Sequence, residues 1–237
     1  MTVQVLQSRS AIDSARAELG RRKLTYITGA PLRALHRLGV VRGADVGDYL
    51  KGWDMLTTVA FMERAVPRDT PILDIGAYGS EMLCIMHRLE YAPLTGVDLN
   101  PDLGRMPFAK AIRYQVSDFM STPYADAAFG AITAISVIEH GFRSQPLLKE
   151  MARLLKPGGH FIASFDYWPE KIDTTGIEIF GMDWRIFSRA DVLEFIDQAK
   201  DYGLRPCGEI HLDAETPAIL WGGKRYTFAW LALQKGA

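Results

Sequence analysis

Apolar positions change their rhythm near residue 66. Before it they recur every three to four residues: Ile12, Ala15 and Leu19 form one stripe, and Leu50, Trp53, Met55, Leu56, Val59, Ala60 and Met62 form another. That spacing puts each set on one helix face. It predicts helices over 10–23, 31–38 and 46–65, so that the first 65 residues read as helices. Ser10 is the expected cap of the first, and Pro31 opens the second, as proline does at a helix start.

After Thr70, short apolar runs alternate with helical stretches. Strands are expected at 71–76, 94–99, 112–116, 129–137, 160–165, 204–210 and 226–233, and helices at 80–91, 101–110, 145–155 and 188–202. Lys156-Pro157-Gly158-Gly159 and Gly203 are the punctuation expected just past two of those helices. Alternation of this kind predicts an α/β fold, a mostly parallel sheet with helices on both faces. The last two strands have no helix between them and are expected to pair antiparallel. The division that follows is an N-terminal helical cap segment over 1–69 and an α/β domain over 70–237.

Composition narrows the class. Of 237 residues, 48% are apolar and 11% aromatic, and 27 basic side chains face 28 acidic ones, which excludes disorder. The longest apolar run, Phe129 to Ile138, is about half the roughly 20 residues a membrane span requires. The start, MTVQVLQSRSAIDSAR, lacks the apolar core and small-residue cleavage site of a secretory signal. Cys84 and Cys207 make neither a disulfide framework nor a zinc site, so a reduced, cytoplasmic chain is expected. The near-neutral total hides an asymmetry: the first 45 residues carry about +5 and the remainder about −6. A solvated helical face explains this, as does a segment that meets an anionic partner.

In an open α/β sheet, ligands sit beyond the carboxyl ends of the strands. The informative residues fall there. After the first strand of the sheet comes Asp74-Ile75-Gly76-Ala77-Tyr78-Gly79-Ser80-Glu81; after the second, Asp98-Leu99-Asn100; after the third, Ser117-Asp118-Phe119; after the fourth, Ser136-Val137-Ile138-Glu139-His140. A carboxylate at Asp98 can accept from both ribose hydroxyls of a nucleoside cofactor. Asp118 could accept from an adenine amine while Phe119 covers the ring. Each position alone has a plainer reading, as a turn residue or a helix cap; together, in order, they point to a cofactor site. A pyrophosphate wants G-x-G-x-x-G. Here Tyr78 fills the close-approach slot and Glu81 puts negative charge at the helix start, which favours a cofactor without phosphates.

The set Asp74-x-Gly76, Val97-Asp98-Leu99-Asn100, Ser117-Asp118-Phe119, Ser136-x-x-Glu139-His140 and Leu154-Leu155-Lys156-Pro157-Gly158-Gly159 resembles the class I S-adenosylmethionine-dependent methyltransferases, nearest the bacterial branch acting on small molecules. The resemblance covers about 70–234. It implies a Rossmann-like seven-stranded sheet in the order 3-2-1-4-5-7-6 with the last strand antiparallel, and S-adenosylmethionine as cofactor. Asp74, Gly76, Ala77, Tyr78 and Gly79 would pass the methionine tail, and Asp98 with Leu99 and Asn100 would hold the ribose. Ser117, Asp118 and Phe119 would address adenine, and the backbone at Ser136 and Val137 would meet the methionine amine. The usual turn is D-x-G-x-G-x-G; Tyr78 and Ser80 replace its later glycines, and Gly79 restores one a position on.

Methyl transfer to a hydroxyl is helped by a base, and His140 is the first candidate, followed by Glu139, Asp166 and Tyr167. The Glu-His pair could instead only shape the pocket. No third ligand accompanies it, so no metal site is expected. The acceptor is expected against two segments: the N-terminal helices, through Lys51 and Trp53, and the aromatic connection 166–187, through Trp168 and Trp184. These readings give methyl transfer to a small molecule or glycoconjugate, at oxygen, with a non-catalytic cofactor binder as the alternative. A nucleic-acid acceptor is disfavoured by the absence of an Asn/Asp-Pro-Pro-aromatic motif, and a nicotinamide oxidoreductase by the glycine turn.

Overall fold

The computed structural model describes residues 3–236. Its elements run β1 (Val3–Val5), α1 (Arg9–Arg21), α2 (Ala30–Arg37), α3 (Gly52–Ala65), β2 (Ile72–Ile75), α4 (Met82–Arg88), β3 (Leu94–Asp98), β4 (Ile112–Val116), β5 (Phe129–Ile135), α5 (Ser144–Leu154) and β6 (Leu155–Tyr167). A small hairpin, β7 (Glu178–Ile179) and β8 (Met182–Asp183), precedes α6 (Arg189–Asp201), β9 (Leu204–Pro206), β10 (Ile219–Trp221) and β11 (Lys224–Lys235).

The main sheet is ordered β1-β11-β6-β5-β2-β3-β4, with β9 and β10 also on β11. Strands β2 to β6 are mutually parallel and β11 is antiparallel to β6. The α/β class and the antiparallel last strand match the expectation; the count does not, since among the described residues the sheet has nine strands instead of seven. The reason lies on the outer edge of β11. That strand is 12 residues long and β9 covers only Leu233–Lys235. An open row of backbone groups needs partners. β1 supplies them over Ala229–Leu231 and β10 over Lys224–Tyr226.

Strand pleating sorts the core into two sides. Leu73, Ile75, Ile132, Phe161, Ala163, Ala229, Leu231 and Leu233 pack with Leu147, Met151, Phe195 and Ile196 of α5 and α6. Their alternating neighbours Ile72, Ala131, Ile162, Trp230 and Ala232 pack with Met55, Val59, Met62, Met82, Ile85 and Met86 of α3 and α4, and with Leu19 of α1. This is the period-two logic of a sheet covered on both faces.

Several local expectations are corrected. Residues before 66 are not all helical, because Val3-Gln4-Val5 forms β1, too short for a periodicity to reveal. Ser8, not Ser10, caps α1, its side chain accepting the Ala11 N–H. The 46–65 helix starts only at Gly52, after a 3-10 turn at Tyr49–Lys51. The 101–110 helix is a 3-10 turn at Pro101–Arg105. The strand expected at 204–210 ends at Pro206, with one further backbone bond from the Cys207 N–H to the Ala232 carbonyl at 3.3 Å.

Candidate active site

Chain order reverses between β2 and β5, where a crevice opens beyond the carboxyl ends of the parallel strands. Two adjoining cavities occupy it. An outer groove of about 500 Å³ runs along Asp98, Leu99, Asn100, Phe119, Val137 and Met182. An inner chamber of about 380 Å³ lies under α3 and β11, against Lys51, Glu139, Asp166, Trp184, Tyr226 and Phe228. Gly76, Tyr78, Ser136, His140 and Phe180 line both, forming the wall between them.

The turn after β2 is built for close approach. Gly76 has φ +68°, and a Cβ there would lie 2.3 Å from Val137 Cγ2, so no side chain is accommodated. Gly79, also left-handed, donates to the Met106 sulfur, while its carbonyl accepts the Gly47 N–H at 2.8 Å. Asp98 holds the turn from β3: Oδ2 accepts the Tyr78 N–H at 2.9 Å and Oδ1 the Asn100 N–H at 2.8 Å. One lone pair on each oxygen stays uncommitted, and Asp98 lines the groove. Ser136 follows β5 at φ +54°, a conformation costing a non-glycine residue about 1–3 kcal/mol, and its buried Oγ has no partner.

Glu81, read from sequence only as hostile charge, is fully buried and paired with Arg16 of α1, Nη1 to Oε1 2.5 Å. Its Oε2 accepts the Tyr26 N–H at 3.0 Å. Arg16 also donates to the carbonyls of Tyr49, at 3.0 Å, and Asp48. The N-terminal segment is thereby fastened to the glycine turn. Sequence reasoning missed Arg16, and only its place in the stripe beside Ile12, Ala15 and Leu19 could have flagged it as buried.

The inner chamber concentrates titratable groups. Burial, then the Asp166 charge, pushes the Glu139 carboxyl well above its ordinary range, and Lys51 opposes this. Burial likewise raises Asp166, with Lys51 Nζ 3.9 Å away and the Trp184 indole N–H donating at 2.8 Å. Asp54 of α3, buried behind the chamber without lining it, is pushed up to about 7, chiefly by burial. His140 is lowered to about 4 by burial and by Lys51, so its ring is neutral at pH 7. Oε2 of Glu139, Oδ1 of Asp166 and Nδ1 of His140 are buried without partners. The Lys51 ammonium sits 3.6 Å above the Phe228 ring.

A methyltransferase-domain family model matches residues 73–163, a span running from β2 through β6. The span from β2 through β6 is thus similar to a methyltransferase domain. No curated protein sequence matches the chain. Among solved structures, the [4+2]-cyclase SpnF is similar over 100% of this chain and 99% of its own, at 16% identity and a TM-score of 0.60. Geranyl diphosphate C-methyltransferase from Streptomyces coelicolor A3(2), solved with S-adenosyl-L-homocysteine, covers 80% of this chain and 85% of its own (15% identity, TM-score 0.59). The Burkholderia thailandensis 1,6-didemethyltoxoflavin-N1-methyltransferase covers 77% and 78% (16% identity, TM-score 0.56). At such identities the likeness is one of fold.

The crevice brings together Gly76, Tyr78, Asp98, Leu99, Asn100, Phe119, Ser136, Val137 and His140 on the groove, and Lys51, Gly79, Glu139, Asp166 and Trp184 on the chamber. Other expected residues stand apart from both cavities. Asp74 is buried beneath the turn, accepting from Thr133 Oγ1 at 2.6 Å, and Ala77 is buried beside it. Ser117 and Asp118 lie outside the groove, with Asp118 Oδ1 accepting the Met120 N–H at 2.8 Å. Tyr167 points into the core and donates to the Leu212 carbonyl at 2.6 Å, because side chains alternate along β6 and its neighbour Asp166 takes the site face. Trp53 faces away from the chamber, toward Leu56 and Trp230. Trp168 packs beside Ile172 and Ile177 at the edge of the Trp184 cluster without lining the chamber.

Proposed function

We propose that this chain transfers a methyl group to a hydroxyl of a small molecule or glycoconjugate held in the inner chamber. The observation that carries the reading is the shared wall, which puts a nucleoside-sized groove and an acid-lined chamber on either side of Gly76, Ser136 and His140. S-adenosylmethionine, when bound, supplies a methyl already activated on a sulfonium sulfur. The residues present suit it. Asp98 offers free lone pairs to a ribose, Phe119 an aromatic face, Gly76 an open approach, and Ser136 an unpartnered hydroxyl.

The chain's own work is positioning, exclusion of water and proton removal. Transfer is an in-line displacement, so the acceptor must be held behind the carbon under attack, which the chamber beyond the wall allows. The acceptor oxygen forms its bond to the methyl carbon as the carbon–sulfur bond breaks, and the hydroxyl proton has to leave. Neutral His140 is the acceptor in the chamber that needs no prior proton loss; Glu139 and Asp166, both raised by burial, accept only in their carboxylate forms. Trp184 holds Asp166 by a hydrogen bond from its indole N–H, with Lys51 beside it. Phe180 at the hairpin tip stands edge-on to His140, with centroids 5.4 Å apart, and roofs the wall. Two free cysteines and no helix long and apolar enough to cross a membrane, among the described residues, accord with a cytoplasmic setting.

A second reading is favoured by one observation. The SpnF cyclase shares the fold over the full chain, so this architecture hosts chemistry other than methyl transfer. In that reading the groove holds the cofactor and no methyl is transferred. Incubation with S-adenosylmethionine and a panel of phenols, alcohols, amines and activated carbon acids separates the two. The proposal expects S-adenosylhomocysteine and a methyl ether, with the rate lowered about 10²–10⁴-fold in His140→Ala or Glu139→Gln. Methyl found on nitrogen or carbon overturns the oxygen assignment; cofactor binding with no turnover on any acceptor supports the second reading.

A further inference from the structure

Between Glu18 and Asp45 the sequence holds six Lys or Arg residues and no Asp or Glu. Helix α2 and the turn after it lie within this stretch. A surface helix ordinarily turns its apolar stripe inward. Here the arrangement is inverted. None of the residues of α2 is buried, and its contacts to the body are polar: His36 Nδ1 lies 2.8 Å from Asp45 Oδ1, and Arg33 Nε lies 3.7 Å from Asp45 Oδ2. Leu32, Leu35 and Leu38, three residues apart and so on one side, are 42%, 38% and 75% exposed. Val40 and Val41 follow at 68% and 38%. Arg37 and Arg42 are exposed beside them.

Five large apolar side chains in one exposed run mark a surface meant to be covered. We propose that α2 and the Leu38–Arg42 turn dock on an anionic lipid surface, leucines and valines toward the acyl boundary and Arg37 and Arg42 on the headgroup phosphates. The charge decides the occupant. An apolar stripe flanked by cations, in a stretch without a single carboxylate, is the combination that gains from both burial and the negative potential of acidic lipids. The polar anchor through His36 and Arg33 presents the stripe outward without unfolding the helix. The docked face would lie beside the groove, because the chain leaving it donates from Ala44 to the Arg105 carbonyl at 3.3 Å and from Gly47 to Gly79.

The test is co-sedimentation of the full chain with phosphatidylcholine vesicles containing phosphatidylserine, against vesicles of phosphatidylcholine alone. The expected result is binding to the anionic vesicles that weakens as salt is raised. Arg37→Glu with Arg42→Glu should lower it by at least roughly 30-fold. Leu32→Ser with Leu35→Ser and Leu38→Ser should abolish it, with circular dichroism unchanged because all three side chains are exposed. Failure of the wild type to sediment with the anionic vesicles overturns the proposal, as does binding indifferent to both variants. Sedimentation equilibrium without lipid supplies the remaining arm: a dimer that the leucine substitutions dissociate assigns the face to a second copy of this chain and overturns the lipid reading.

Discussion

Arg16→Ala probes the joint between the N-terminal segment and the cofactor turn. Arg16 is 6% exposed and Glu81 fully buried, with the guanidinium also holding the Tyr49 and Asp48 carbonyls. Removing the arginine leaves a buried carboxylate with the Tyr26 N–H as its one remaining hydrogen bond. Breaking a buried ion pair from one side costs about 3–5 kcal/mol, a large share of a total near 5–15 kcal/mol. In a domain of this size that is a fall in Tm of roughly 6–20 °C. Urea unfolding at pH 7 of Arg16→Ala, Glu81→Gln and the double variant forms a cycle. The double variant buries no charge, so it should be more stable than Arg16→Ala, with a coupling of about 1.5 kcal/mol or more. Additive effects, or a cost below about 1 kcal/mol for Arg16→Ala, would refute the reasoning.

Three further outcomes follow from particular atoms. Gly76→Ala meets Val137 Cγ2 at a left-handed φ, so it should destabilise the chain by about 1–3 kcal/mol and eliminate cofactor binding in calorimetry; unimpaired binding would contradict the cradle. Phe180 is 84% exposed with φ +57° beside Gly181, the two centres of a tight hairpin turn where asparagine is at ease. Phe180→Asn should therefore hold or raise Tm while raising the acceptor KM, and a large loss of stability would be inconsistent with its place at the tip. Asp54 and Asp74 are pushed up to about 7 by burial, so the folded chain keeps protons that the unfolded chain releases above about 4. Their contribution is complete below pH 4 and is lost as pH rises through 7. Asp54→Asn should flatten the fall in unfolding free energy across that window and exceed wild type at pH 8; identical slopes in denaturant titrations would count against it.

What the sequence made legible was whatever repeats along one stretch of chain. The strand-end residues Gly76, Asp98, Ser136 and His140 could be placed because parallel strands all deliver their carboxyl ends to one crevice. Tyr167 failed because its assignment depended on which way one strand residue points, and the alternation along β6 gives that face to Asp166. β1 escaped because three residues carry no period and its partner, β11, lies more than 220 positions away. Arg16 and Glu81 met across 65 residues, a contact no local pattern announces. The inward polar side of α2 was equally hidden, since its leucine spacing alone predicts burial.

The most direct test of the central claim is calorimetric titration of S-adenosylhomocysteine into wild type, Asp98→Ala and Tyr167→Phe. The groove reading predicts micromolar binding to the wild type and a loss of about 1–3 kcal/mol in Asp98→Ala. Tyr167→Phe, whose hydroxyl is committed to the Leu212 carbonyl away from both cavities, should bind as wild type does. No binding to the wild type, or equal affinity in Asp98→Ala, would contradict the placement of the cofactor in the groove.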